Sequence, residues 1–172
     1  MQPLQRNIEL KAAYTDLDRA RIALEKVGAV FTHSMTQLDT YFRVPNGRLK
    51  LREIDSQRAE LIWYDRPDAL EYRGSHYTVV PVPDPTALKA ALVAANGLRG
   101  EVRKDRDLWM FHNVRIHLDR VVGLGSFIEF EAVMSEGEDE AASHQRLNDL
   151  HTALQISESD HQAGSYSDLL GL

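Results

Sequence analysis

Charged residues recur at every second position in several stretches of this 172-residue chain. Glu9 and Lys11 stand two apart, as do Arg48, Lys50 and Arg52. Glu60, Tyr64 and Arg66 share one parity, and so do Lys104 and Arg106. Arg115, His117 and Asp119 make another such set, followed by Glu129 and Glu131. Alternate residues of a strand lie on one side of a sheet, so each set marks one polar face. Together the faces hold eight Lys or Arg and five carboxylates, a local excess of positive charge in a chain whose net charge is −6. The planar fork of a guanidinium fits phosphate oxygens, and a lysine adds a point charge. Carboxylates hold hard divalent cations through oxygen. A mixture of the two suits a metal–polyphosphate complex, whose phosphates need cations and whose metal needs carboxylates.

The pattern by itself allows two arrangements. An antiparallel sheet with one wet side would leave the charges solvated and without function. A sheet closed on itself would turn them inward and line a cavity.

The elements that must carry these residues follow from periodicity. Residues 6–14 alternate and read as a strand. Thr15 and Asp16 offer N-caps for a helix with Leu17, Ala20, Leu24 and Val27 on one stripe, stopped at Gly28. Residues 31–44 read as extended and end at the turn Pro45-Asn46-Gly47. Residues 48–53 and 59–66 form a hairpin across Asp55-Ser56-Gln57, and a further β-rich run spans 77–82. Asp84 and Pro85 open a helix striped by Leu88, Leu92 and Ala95. Three strands follow at 101–108, 113–121 and 126–134, the last two joined at Gly123-Leu124-Gly125. An amphipathic helix covers 138–154 with Leu147, Leu150 and Leu154 on one side, and Glu136 to Glu140 read as its solvated start. Antiparallel strands with a few helices predict an α+β fold.

Composition bounds the rest. A chain of 172 residues without a linker or repeat reads as one domain, residues 1–172. With no cysteine, a disulfide scaffold, a thiolate metal site and a cysteine nucleophile are excluded. The acidic net charge argues against nonspecific nucleic-acid binding. No apolar run reads as a signal core or a bilayer span, so a cytoplasmic protein without membrane contact is expected.

The run Asn7-Ile-Glu-Leu-Lys11 resembles the Glu-x-Glu-x-Lys signature that opens CYTH domains, the triphosphate tunnel metalloenzymes. Further segments resemble the family in order along nearly the whole chain: Gln37-Leu-Asp-Thr-Tyr-Phe42, Leu49-Lys-Leu-Arg52, Lys104-Asp-Arg106, Arg115-Ile-His-Leu-Asp119 with Gly123-Leu-Gly-Ser-Phe-Ile-Glu-Phe-Glu131, and Ser165-Tyr-Ser-Asp-Leu-Leu170. The resemblance implies an eight-stranded antiparallel β-barrel that forms a tunnel, with helices packed outside. It implies Glu9, Glu129, Glu131 and Asp119 as ligands of Mg²⁺ or Mn²⁺, with Glu60 a further contributor. Lys11, Arg52, Arg66, Lys104, Arg106 and Arg115 would bind the triphosphate, with Lys50 beside them and His117 as a phosphate contact or proton carrier. Glu9, Lys11, Glu129 and Glu131 would be the catalytic set. The length, the Gly-Leu-Gly-Ser-Phe-Ile-Glu segment and the tail look most like class IV adenylate cyclases, which turn ATP into cyclic AMP and pyrophosphate. That branch also suggests a homodimer. Triphosphate hydrolysis and non-catalytic binding of a polyphosphate or nucleotide are the alternatives.

Two positions depart from the family pattern. Asn7 stands where a glutamate is usual, offering an oxygen without charge, and Tyr64 stands where many members place a lysine. Arg66, on the same face, would take over the lysine's role. The remaining histidines read as surface residues, with His144 and His151 two helical turns apart the nearest to a ligand pair. Tyr166 would cover one tunnel mouth or pin the tail to the barrel.

Overall fold

In a computed structural model, which describes residues 5–65 and 73–172, eight antiparallel strands close into a barrel. The strands are β1 (Gln5–Ala13), β2 (Val30–Phe42), β3 (Arg48–Ile54), β4 (Arg58–Asp65), β5 (Arg73–Val82), β6 (Leu98–Phe111), β7 (Val114–Val121) and β8 (Gly125–Met134). Their order around the ring is β1-β5-β4-β3-β2-β6-β7-β8. The expected α+β barrel is therefore the observed one. Closure removes the free sheet edges that an open sheet would expose.

The predicted turns form for local reasons. Asp55 and Ser56, between β3 and β4, both take positive φ at the centre of a tight turn in which Gln57 N–H donates to the Ile54 carbonyl at 3.0 Å. Gly123 and Gly125 supply the positive φ needed between β7 and β8.

Helix α1 (Leu17–Lys26) is capped by Asp16, and α2 (Pro85–Asn96) by Asp84 with Pro85 in its first turn. Helix α3 (Glu140–Ala153) begins two residues later than periodicity suggests, because Asp139 is its N-cap. The main apolar core lies outside the barrel wall. There Ile8, Leu10, Ile116, Leu118, Ile128 and Phe130 meet Leu17, Ala20 and Leu24 of α1 and Leu147 and Leu150 of α3. Leu88 and Leu92 of α2 pack on Phe42, Leu51 and Ala59 elsewhere on the outer wall. Burying apolar positions outward leaves the opposite strand faces, with the charged residues, pointing into the barrel.

The tail forms a fourth helix, α4 (Tyr166–Leu169), which periodicity does not reveal. Its Tyr166, with Leu169, Leu170 and Leu172, packs against Tyr41, Val102, Val121 and Phe127 at one end of the barrel. Asp168 latches it: Arg48 Nη2 and Arg99 Nη2 donate to its carboxylate at 2.9 and 2.7 Å. Tyr166 thus both pins the tail and closes that mouth. Among the described residues no helix is long and apolar enough to cross a membrane.

Candidate functional site

The barrel holds a cavity of about 260 Å³. Its lining is layered along the strands. At the end closed by α4 the inward positions are apolar or aromatic, including Tyr41, Val102, Val121 and Phe127. Toward the other end come Lys11, Lys50, Lys104 and Glu129, then Glu9, Arg52, Arg106, His117 and Glu131. Met35, Ile54, Leu108, Asn7 and Arg115 also line the cavity. Among the described residues seven cations and four carboxylates line this one cavity, so the closed-sheet arrangement holds and the solvated face does not.

The charges divide into two facing arcs. Strands β8 and β1 carry the acidic one. Glu9 lies opposite Glu131 across their ladder, and Lys11 opposite Glu129. On β7, Arg115 pairs in register with Glu131 and His117 with Glu129. One oxygen each of Glu129 and Glu131 and a ring nitrogen of His117 lie within 4.8 Å of one another. Burial opposes ionisation of Glu129, yet Lys11, His117 and Arg106 hold its carboxyl well below the usual range. Burial likewise opposes ionisation of Glu131, and His117 and Arg115 outweigh it. Burial, reinforced by the Arg106 charge, favours neutral His117.

Strands β3, β2 and β6 carry the basic arc, diametrically across the ring. Its centre is Asp39, fully buried. Arg52 Nε and Nη2 donate to its two oxygens at 2.7 and 2.8 Å. Lys50 Nζ and Lys104 Nζ each donate at 3.0 Å. One carboxylate thus organises three cations and leaves them in charge excess, aimed at the cavity. Burial and the neighbouring Arg52 charge pull Lys50 down to about 7.

Arg106 sits between the arcs. It grips Asp119 with two bonds of 2.6 Å and reaches Glu129 Oε2 at 3.0 Å. Tyr166 donates its hydroxyl to Asp119 at 2.7 Å. Asp119 therefore backs Arg106 and lies outside the group of His117, Glu129 and Glu131. Lys11 Nζ donates to the Gly164 carbonyl at 3.2 Å and lies 4.1 Å from the centre of the Tyr166 ring. The Asn7 amide turns its oxygen toward Arg115 Nη2 at 3.1 Å. Where a glutamate would present charge to a cation, Asn7 instead engages an arginine.

Of the sequence-predicted site residues, Glu9, Lys11, Lys50, Arg52, Lys104, Arg106, Arg115, His117, Glu129 and Glu131 line the cavity, as does Glu60. Arg66 lies outside the described residues. Arg48 is inward-facing in parity but is spent on the tail through Asp168. Sequence reasoning missed the role of Asp39, which alternation from Gln37 to Tyr41 places on the inner face. It also missed Arg58 and the apolar lining residues. His151 pairs with His161, their Nε2 atoms 2.9 Å apart, rather than with His144.

This layered lining invites comparison with known proteins. The family model of the CYTH domain matches residues 5–166. The chain belongs to the CYTH domain family. Among curated proteins none matches it. Solved structures share its fold. The PH1012 protein of Pyrococcus horikoshii superposes with a TM-score of 0.82 at 23% identity, over 95% of this chain and 98% of that one. A candidate adenylate cyclase from Vibrio parahaemolyticus gives 0.75 at 19% identity, over 98% and 99%. A candidate adenylyl cyclase from Hippeastrum, described as having a dominant triphosphatase activity, gives 0.66 at 12% identity, over 94% and 91%. At these identities the likeness shows the fold alone, and this CYTH chain's own residues must carry its chemistry.

Proposed function

We propose that this CYTH protein acts on a nucleoside triphosphate in complex with a divalent metal, and that it cyclises ATP to cyclic AMP and pyrophosphate. The observation that carries this reading is the pair of facing arcs in one cavity, cationic on β3, β2 and β6 and acidic on β8 and β1. Lys50, Arg52, Lys104 and Lys11 would bind the β- and γ-phosphates toward the closed end. Arg106 and Arg115 would bind nearer the α-phosphate. Met35, Ile54 and Leu108 give the cavity an apolar surface for the base, while the charged layers stay with the phosphates. Glu9, Glu129 and Glu131 would hold Mg²⁺ or Mn²⁺, which when bound neutralises charge on the phosphates and the leaving group. In the reaction the ribose 3′-hydroxyl loses its proton and bonds to the α-phosphorus as the bond to pyrophosphate breaks. The protein's part is to hold the chain of phosphates extended so that attacking and leaving oxygens are in line.

A second reading is hydrolysis of a triphosphate. The barrel end closed by Tyr166 and Leu170 favours it, because a blind tunnel can seat a terminal phosphate, and the fold neighbour from Hippeastrum supports it. The decisive experiment is product analysis with Mg²⁺ or Mn²⁺ on ATP, thiamine triphosphate and tripolyphosphate. Cyclic AMP with pyrophosphate supports cyclisation. Orthophosphate with a diphosphate product replaces it by hydrolysis. Tight binding without product would leave a binding module, with Asn7→Glu the variant to restore turnover.

A further inference from the structure

We infer that His117 is a nitrogen ligand of the tunnel cation, so that this chain selects a first-row ion such as Mn²⁺ over Mg²⁺. The inference rests on the reading above that Glu129 and Glu131 hold a metal.

The His117 side chain is 7% exposed, and its Nδ1 is fully buried without a hydrogen-bond partner. A buried polar atom left unpaired is costly, so it calls for a partner that the described residues do not supply. Its neighbours are Glu129 Oε2 at 3.5 Å and Glu131 Oε1 at 3.9 Å. Both are longer than the usual N–H···O distance of about 2.9 Å, so the nearer contact is at most a weak bond. Tight pairing is available in this barrel, as the Arg106 bonds to Asp119 at 2.6 Å show. The gap between Nδ1 and the two oxygens has the size of a cation. Six ligands at about 2.1 Å from an ion lie about 3.0 Å apart when adjacent and about 4.2 Å when opposite. At 3.5 and 3.9 Å both separations exceed the adjacent value, so the two carboxylates would close slightly on the ion.

Of these atoms only Glu129 Oε2 has a close partner among the described residues, Arg106 Nη2 at 3.0 Å. Arg115 takes the second oxygen of Glu131 at 3.0 Å, leaving Oε1 toward His117. Arg106 shares Glu129 Oε2 but would keep both bonds to Asp119 if a cation displaced it there. Asn7 offers no charge, and its oxygen is engaged by Arg115. A mixed nitrogen–oxygen set suits borderline first-row ions, whereas Mg²⁺ prefers oxygen and retains its water.

The test uses the full chain with Mn²⁺ alone. Pulsed electron paramagnetic resonance of the Mn²⁺ form is expected to show a ¹⁴N coupling from a directly bound imidazole. Calorimetry is expected to show Mn²⁺ bound more tightly than Mg²⁺. His117→Gln should lose the coupling and about tenfold or more in Mn²⁺ affinity, while Mg²⁺ affinity changes little. His117→Ala and a thermal unfolding curve guard against a folding defect, and the wild-type spectrum needs no variant. Mn²⁺ binding that is lost in Glu129→Gln but shows no ¹⁴N coupling would overturn the histidine assignment and leave the carboxylate site standing. Failure of the folded protein to bind either ion would overturn both.

Discussion

At the scale of single residues, this tunnel works by keeping opposite charges close without cancelling them. Glu129 and Glu131 stay ionised although buried, because cations face them from three strands. Glu129→Gln and Glu131→Gln should each abolish metal-dependent turnover while the melting temperature stays near wild type; unchanged turnover would remove them from the metal site. Lys50 gives a pH signature. In the free protein it loses its proton near pH 7, against an ordinary value of 10.5. A bound polyanion favours the charged form, so binding above pH 7 must take up a proton. Affinity for tripolyphosphate should therefore fall with rising pH by up to about tenfold per unit between 7 and 10. Lys50→Arg should flatten the profile, and calorimetry in buffers of different ionisation enthalpy would count the proton. The same shift has the opposite sign for stability. The unfolded chain holds this proton up to its ordinary value while the native state releases it, so Lys50 makes the fold more stable as pH rises across that window.

At the scale of elements, the barrel depends on what packs against it. Leu150 is completely buried between α3 and the outer wall. Leu150→Ala should cost about 2–5 kcal/mol in denaturant unfolding, the range for a buried leucine that leaves a cavity. The tail helix is held by charge as well as by apolar packing. Burial would raise the Asp168 carboxyl, but hydrogen bonds from Ser165 and the charges of Arg48 and Arg99 hold it at about 2. Its contribution is complete above the ordinary aspartate value and is lost as pH falls through about 2. Protection of the amides of residues 165–172, relative to their intrinsic exchange rates, should fall between pH 4 and 2, and Asp168→Asn should show the lower protection already at neutral pH.

At the scale of the whole molecule, the site exists only because the sheet closes. The acidic and basic arcs come from strands on opposite sides of the ring, so a ligand that touches both ties the barrel together. Tripolyphosphate with Mn²⁺ at about 100 times its dissociation constant should add about 2.7 kcal/mol to stability. For a domain of this size that is a rise of about 5–10 °C in melting temperature. Orthophosphate, too short to bridge the arcs, should give much less at equal concentration.

The sequence by itself determined the strands, the turns and the parity of nearly every charged residue. Alternation is local, and a charged side chain two residues from another must share its face. That is why Glu9, Lys11, Lys50, Arg52, Lys104, Arg106, Arg115, His117, Glu129 and Glu131 were legible as a set. Alternation does not say whether that face is wet or enclosed; ring closure decides it, through pairing of β2 with β6 and of β1 with β5 and β8. Nor does it say which charges meet. The gathering of three cations on Asp39, the capture of Asp119 by Arg106 and Tyr166, and the unpartnered nitrogen of His117 between two carboxylates all join residues distant in sequence. Those encounters depend on register and barrel curvature, which are properties of the assembled sheet and not of any one strand.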